Sequence, residues 1–211
     1  MTSVTPDSIF QVARGFMASK HLYVANEVGL FEQLAEGPIT LDELSKRSGV
    51  PRRTIRILAD ALVALGFADR QADRYQNGPV AATFLSGRTP ADLRPFLRFW
   101  NRVSYPCWIQ LEASIRTELA TVGHLSEELV KIYSEGGEAI TSGTALALAA
   151  TYDFSQHPLV LDLGGGIGSF LLAVLRNHPH LETTLFEQPD VAALARQHLA
   201  GTPAGEQVNG G

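Results

Sequence analysis

The sequence predicts two unlike parts. The first is a mainly α-helical N-terminal part in a winged-helix pattern, and the second is the start of an α/β domain with a parallel sheet. Three observations carry this reading. Between about residues 40 and 77, two short helix signals flank a tight turn and lead into two strand-like runs. Residues 90 to about 152 read as helical. From 158 onward strand, helix, strand and helix signals alternate, opening on Val160-Leu161-Asp162-Leu163-Gly164-Gly165-Gly166-Ile167-Gly168.

The elements follow in order. Thr40-Leu41-Asp42-Glu43 is a capping box, in which the threonine oxygen accepts from the Glu43 amide and the glutamate reaches back. It starts a helix through Arg47, ended by a Ser48-Gly49 turn. Pro51 suits the first turn of the next helix. That helix presents Ile55, Leu58, Leu62 and Leu65 on one face and stops at Gly66. Phe67 to Arg70 and Arg74 to Asn77 are two strands across a Gln71-Ala72-Asp73 turn. Thr89-Pro90 reads as a cap and first-turn proline, opening a region rich in aromatics (Phe96, Phe99, Trp100, Tyr105, Trp108) and broken at Pro106. Two further helices are expected, Leu125 to Ser134 and Glu138 to Ala150. Leu159 to Leu163 is nearly all apolar, as for a strand buried on both faces. Gly168 opens a helix through Arg176. Thr183 to Glu187 is the second strand, and Asp190 caps a helix through Leu199. Two strands joined by a helix make a right-handed crossover with a parallel pair.

Composition narrows the function. Apolar residues are 45% and charged residues 18%, enough apolar chain for a sizeable core. The formal net charge of -5 gives no basic surplus for nucleic acid. One cysteine, Cys107, excludes an internal disulfide and a cysteine-based zinc cluster. The first residues lack the basic head and apolar stretch of a signal peptide, and "TALALAATY" is too short to span a bilayer. A cytoplasmic protein without membrane partners is expected.

The glycine stretch is the chemical signal. A triphosphate loop needs a lysine followed by Ser or Thr after its last glycine, but Ser169-Phe170 follows Gly168. The dinucleotide pattern Gly-x-Gly-x-x-Gly fits poorly, because neither Ser169 nor Leu171 is a glycine. The spacing is Asp162-x-Gly164-x-Gly166-x-Gly168. With "TTLFEQPDV", which puts Glu187 23 residues after Gly164, it resembles motif I and the second-strand acid of class I methyltransferases that use S-adenosylmethionine. In form it is similar to the small-molecule O-methyltransferases of plant phenolic and bacterial polyketide pathways, whose N-terminal winged-helix dimerisation domain the first region resembles.

The resemblance implies a winged-helix dimerisation domain over 1–88, a helical linker and pocket region over 89–152, and the N-terminal part of a Rossmann-like cofactor domain over 153–211. It implies S-adenosylmethionine bound by Gly164, Gly165, Gly166 and Glu187, with Asp162 in support. Glycines let the backbone approach the methionine tail, and an acid after the second strand accepts from both ribose hydroxyls. It implies a homodimer and a small hydroxyl acceptor, aromatic or polyketide-like. Relatives carry a hydroxyl near Thr141 and Ser142. Further strands, the general base and most of the acceptor pocket are expected beyond residue 211, so no catalytic residue is assigned. His21, His124, His157, His178, His180 and His198 are misplaced for the base, and none pairs at helical ligand spacing, so no metal is expected. Two other readings stand beside the enzyme: a non-catalytic dimerisation or regulatory protein of this lineage, and a winged-helix DNA-binding regulator using Arg52, Arg53 and Arg56. The aromatic set reads as core, dimer interface or acceptor pocket.

Overall fold

Caps and apolar stripes set the N-terminal elements. The computed structural model describes residues 4–119 and 125–210, so His124 and Gly211 lie outside the described residues. Two units form, one up to Asn101 and one from Arg102 on. The first contains α1 (Asp7–Glu27), α2 (Leu30–Gln33), β1 (Ile39–Thr40), α3 (Leu41–Ser48), α4 (Arg52–Ala64), β2 (Ala68–Gln71), β3 (Arg74–Asn77), α5 (Pro79–Phe84) and α6 (Arg94–Phe99). Thr40 Oγ1 accepts from the Glu43 amide at 3.2 Å, as its capping role requires, while the Glu43 carboxylate turns to Arg47 Nε at 2.6 Å. Gly49 ends α3 in the left-handed region, φ +68°.

On α4, Ile55 and Leu62 are fully enclosed and Ala59 completes the stripe, whereas Leu65 sits at the exposed C-cap. The hairpin turn is tighter than expected. Gln71 pairs with Arg74, so only Ala72 and Asp73 remain in the turn. A two-residue strand, β1, pairs antiparallel with β3 and completes a sheet of order β1-β3-β2. Tyr75 is buried in this unit, and its hydroxyl donates to Asp60 Oδ1 at 2.6 Å beside Arg70 Nη1 at 2.8 Å. Burial, helped by the bond to Asp60, pushes the Tyr75 phenol up to about 12. Burial also pushes the Asp60 carboxyl up, but the Tyr75 bond and the Arg70 charge outweigh it, and the net shift is downward.

Thr89-Pro90 does not open a helix. Thr89 Oγ1 donates to the Thr83 carbonyl, and α6 begins at Arg94 with Pro95 in its first turn. Asp92 Oδ1 takes the Arg94 amide at 3.0 Å, so the start signal acts a few residues later than expected. The Arg94 guanidinium then ties Asp92 (2.7 Å) to Glu32 (2.6 Å). After α6 the chain makes a π-helical turn, Trp100–Ser104, and Pro106 falls in the first turn of α7 (Tyr105–Ile109), where its missing N–H costs nothing. Next comes α8 (Leu111–Thr117).

The second unit is built on α9 (Glu127–Thr151), capped by Ser126. The two helices expected here are one. Gly136 and Gly137 each weaken a helix by ~1 kcal/mol relative to Ala, yet they do not interrupt it. Gly136 is buried, and Ala145 and Ala149 pack α9 against the rest of the unit, so tertiary packing overrides propensity. Three strands follow with two helices: β4 (Leu159–Leu163), α10 (Ser169–Asn177), β5 (Glu182–Phe186), α11 (Pro189–Leu199) and β6 (Val208–Gly210). All pair in parallel, in the order β4-β5-β6.

Three expectations are corrected in this unit. The sheet has a third strand where two were expected, because Val208–Gly210 pair with Thr183–Leu185. Gln188, not Asp190, is the N-cap of α11; Pro189 takes the first position and Asp190 lies in the first turn, where its charge suits the helix dipole. Finally, β4 is not buried on both faces. Val160 and Asp162 turn toward the helices, but Leu159, Leu161 and Leu163 are 69%, 64% and 73% exposed on the other face, with Phe186 of β5 beside them. Among the described residues the helices cover one side of this sheet, through Leu171, Leu172, Val174 and Leu175 of α10.

Candidate functional site

The turn from β4 into α10 is shaped by three glycines in the left-handed region: Gly164 (φ +70°), Gly166 (+59°) and Gly168 (+89°). Hydrogen bonds tie it to the end of β5. The Gly164 amide donates to the Phe186 carbonyl at 2.8 Å, and the Gly166 amide donates to Glu187 Oε2 at 2.9 Å. Glu187 Oε1 takes the Gln188 amide at 2.7 Å. One carboxylate thus holds both strand ends, and each of its oxygens keeps a lone pair for another donor. Gly165 has a different reason to be glycine: a Cβ there would overlap the Asp162 carboxyl, which lies directly against the turn.

Asp162 Oδ2 and Ser169 Oγ are buried and find no hydrogen-bond partner among the described residues. Burial, and then the negative charge of Glu187, push the Asp162 carboxyl above its usual range. The orphaned carboxylate oxygen lacks a donor, preferably a cationic one, and the Asp162 residue also lines open space.

That open space is a cavity of about 520 Å³. Asp162, Gly164, Gly165, Gly166 and Glu187 all border it, so the structure brings the sequence-derived candidates to one place. A Cβ at Gly164 or Gly166 would meet nothing within 4 Å, so bare backbone faces the cavity at both. The opposite wall comes from α9, through Tyr133, Gly137, Glu138 and Thr141. Of these only Thr141 stood out in the sequence. Tyr133, Gly137 and Thr141 recur every four residues, a helical-face signal hidden by the expected break at Gly136-Gly137. Ser142 is exposed on another side of α9. A smaller hollow of about 300 Å³ beside β6, lined by Leu185, Leu199 and Val208, lies away from the glycine turn.

The remaining candidates are placed elsewhere. Arg52 pairs with Asp42, and Arg56 pairs with Asp60 at 3.4 Å. Phe96, Phe99 and Trp100 pack on one another at 5.9–6.5 Å, with Phe96 against the N-terminal core, whereas Trp108 is exposed. His178 Nε2 lies 2.9 Å from the Ala149 carbonyl, and His157 stacks on Tyr152. The two turn carboxylates disfavour a phosphate ligand. They suit a ligand with hydroxyl donors and positive charge.

Two family models match the chain: an O-methyltransferase dimerisation domain over residues 10–87 and an O-methyltransferase domain over residues 116–210. A tetracenomycin polyketide synthesis 8-O-methyl transferase of Streptomyces glaucescens is 31% identical, over 96% of this chain and 62% of its own length. An N,N-dimethyltransferase of Streptomyces rimosus is 32% identical, over 89% of this chain and 58% of its own length. Human N-acetylserotonin methyltransferase, solved in complex with SAM, superposes with a TM-score of 0.84 at 25% identity, covering all of this chain and 67% of that one. The chain thus spans about three fifths of the length of these curated relatives.

Proposed function

The chain belongs to the S-adenosylmethionine-dependent O-methyltransferases, and from that premise we propose that the cavity at the glycine turn is the cofactor half-site of a small-molecule O-methyltransferase. The observation that carries the reading is the orphaned Asp162 Oδ2, set beside bare glycine backbone and the doubly anchored Glu187. These residues fit the cofactor. Glu187 offers its free lone pairs to the ribose hydroxyls. Gly164, Gly165 and Gly166 admit the methionine tail against the backbone. Asp162 receives the ammonium group, directly or through water, and Thr141 and Ser169 add hydroxyls to the same walls. When bound, S-adenosylmethionine supplies a methyl group on a sulfonium, which an acceptor oxygen displaces while the sulfur keeps the bonding pair and the hydroxyl loses its proton.

Methyl transfer is a property of the whole protein in this proposal, and this chain contributes the cofactor half. The acceptor is taken to be a small aromatic or polyketide-like hydroxyl compound, as the name of the Streptomyces glaucescens relative suggests. The division into 1–88, 89–152 and 153–211 is part of the same proposal, as is a homodimer. Support for the dimer comes from α1, whose Ile9, Phe10, Val12, Phe16 and Met17 are exposed along one long helix. Among the described residues no helix is long and apolar enough to cross a membrane, and a cytoplasmic location is proposed.

Calorimetric titration of S-adenosylhomocysteine tests the half-site. Glu187→Ala is expected to weaken binding ~10–100-fold, the range for a hydrogen bond to a charged group, with the circular dichroism unchanged. Equal binding by the variant, or none by the wild type, would overturn the reading.

A further inference from the structure

The cavity walls carry three carboxylates and, among the described lining residues, no lysine, arginine or histidine. Two of the three, Asp162 and Glu187, belong to the strand ends and already have work there. The third, Glu138, comes from α9. It also borders an adjoining hollow of about 430 Å³ between α9 and α11, sharing that wall with Ser134 and Ile167. There its Oε1 lies 3.7 Å from His198 Nε2, a contact that neutralises Glu138 only when the imidazole is protonated. Lys131 pairs with Glu135, one turn before Glu138, at 3.9 Å, so the lysine of that hollow is directed to a different acid.

Glu138 therefore places a carboxylate on the cavity wall that neither the tail nor the ribose requires. The ligand proposed above carries two positive centres before transfer, the ammonium and the sulfonium. After transfer it carries one, because the sulfur becomes a neutral thioether. We propose that Glu138 is a charge-selectivity residue of the cofactor site, favouring the sulfonium form over the thioether product and so assisting exchange of spent for fresh cofactor. This rests on the cofactor reading of the cavity. A wall charge acts through space, so it need not touch the ligand. With an effective dielectric constant between the ~20 of a protein surface and the ~80 of water, it changes the relative affinity of the two forms by roughly 3–10-fold.

The test is calorimetric titration of S-adenosylmethionine, S-adenosylhomocysteine and sinefungin, which carries an amine where the sulfonium stands. The expected result is that Glu138→Gln weakens both cationic ligands ~3–10-fold and the thioether less than twofold. Glu138→Asp keeps the charge and should keep most of the preference. Glu135→Gln, whose side chain borders only the neighbouring hollow, should change none of the three affinities. Equal weakening of all three ligands by Glu138→Gln, or no change in any, would overturn the proposal while leaving the cofactor site standing. Failure of the wild type to bind any of the three would instead remove the site itself, and the proposal with it.

Discussion

The two units bury their apolar residues in opposite styles. In the first, Leu30, Phe31, Leu44, Ile55, Leu62 and Tyr75 are wholly enclosed, and three short antiparallel strands sit among helices. In the second, the helices close one face of the parallel sheet and leave Leu159, Leu161, Leu163 and Phe186 open on the other. A sheet of this kind normally has helices on both faces. The first unit encloses its own core, while the second unit presents a fully formed ligand turn on a sheet with one exposed apolar face. The turn needs only two strand ends and a helix start, all supplied within about thirty residues.

A pair of side-chain truncations separates the two styles of burial most strongly. Leu62→Ala should cost ~2–5 kcal/mol of stability in the first unit. Leu161→Ala, on the open face, should change stability by less than ~0.5 kcal/mol. Denaturant titration of both variants checks this, and comparable losses would mean the open face is covered in solution. Next in size is Tyr75→Phe, expected to cost about 1–2 kcal/mol through the lost bond to Asp60. It carries a pH signature. The folded Asp60 carboxyl lies below its unfolded value, so its contribution is present above the unfolded value and is lost as pH falls through the folded one. Melting at pH 7 and pH 3 should therefore differ less in Tyr75→Phe than in the wild type. Thr40→Ala, which removes the cap of α3, should cost ~1 kcal/mol in the same assay.

The smallest effect has the opposite sign and belongs to the second unit. The folded Asp162 carboxyl lies above its unfolded value, so its contribution to stability is full below the unfolded value and is lost as pH rises through the folded one. At neutral pH the ionised group is a liability without a ligand. Asp162→Asn should raise the melting temperature by about 1–2 °C while weakening binding of the cationic cofactor. A lower melting temperature with intact binding would mean Asp162 serves the turn alone.

Much of this was legible in the residues because some signals are local and stereochemical. Gly164, Gly166 and Gly168 need left-handed backbone, Gly165 must clear the Asp162 carboxyl, and Glu187 follows its strand directly. The Thr40 cap and the Ile55–Leu62 stripe were similarly local. What was misread depends on partners outside each motif. Gly136-Gly137 looks like a break until buried packing holds α9 straight. Thr89-Pro90 looks like a helix start until Asp92 takes the Arg94 amide. Val208-Asn209-Gly210 has little strand character of its own and becomes a strand only by pairing with β5. Likewise β4 reads as doubly buried because its composition suits a covered sheet. Tyr133 and Gly137 escaped notice because their face of α9 matters only once the glycine turn lies opposite it.

In the proposed function the ligand sits at the glycine turn. Hydrogen–deuterium exchange of the protein with and without S-adenosylhomocysteine tests it most directly. Exchange should slow at the amides of residues 163–169 and 187–188 and along the Tyr133–Thr141 face of α9, with the first unit unchanged. Protection confined to the hollow beside β6, or absent at the turn under saturating ligand, would contradict it.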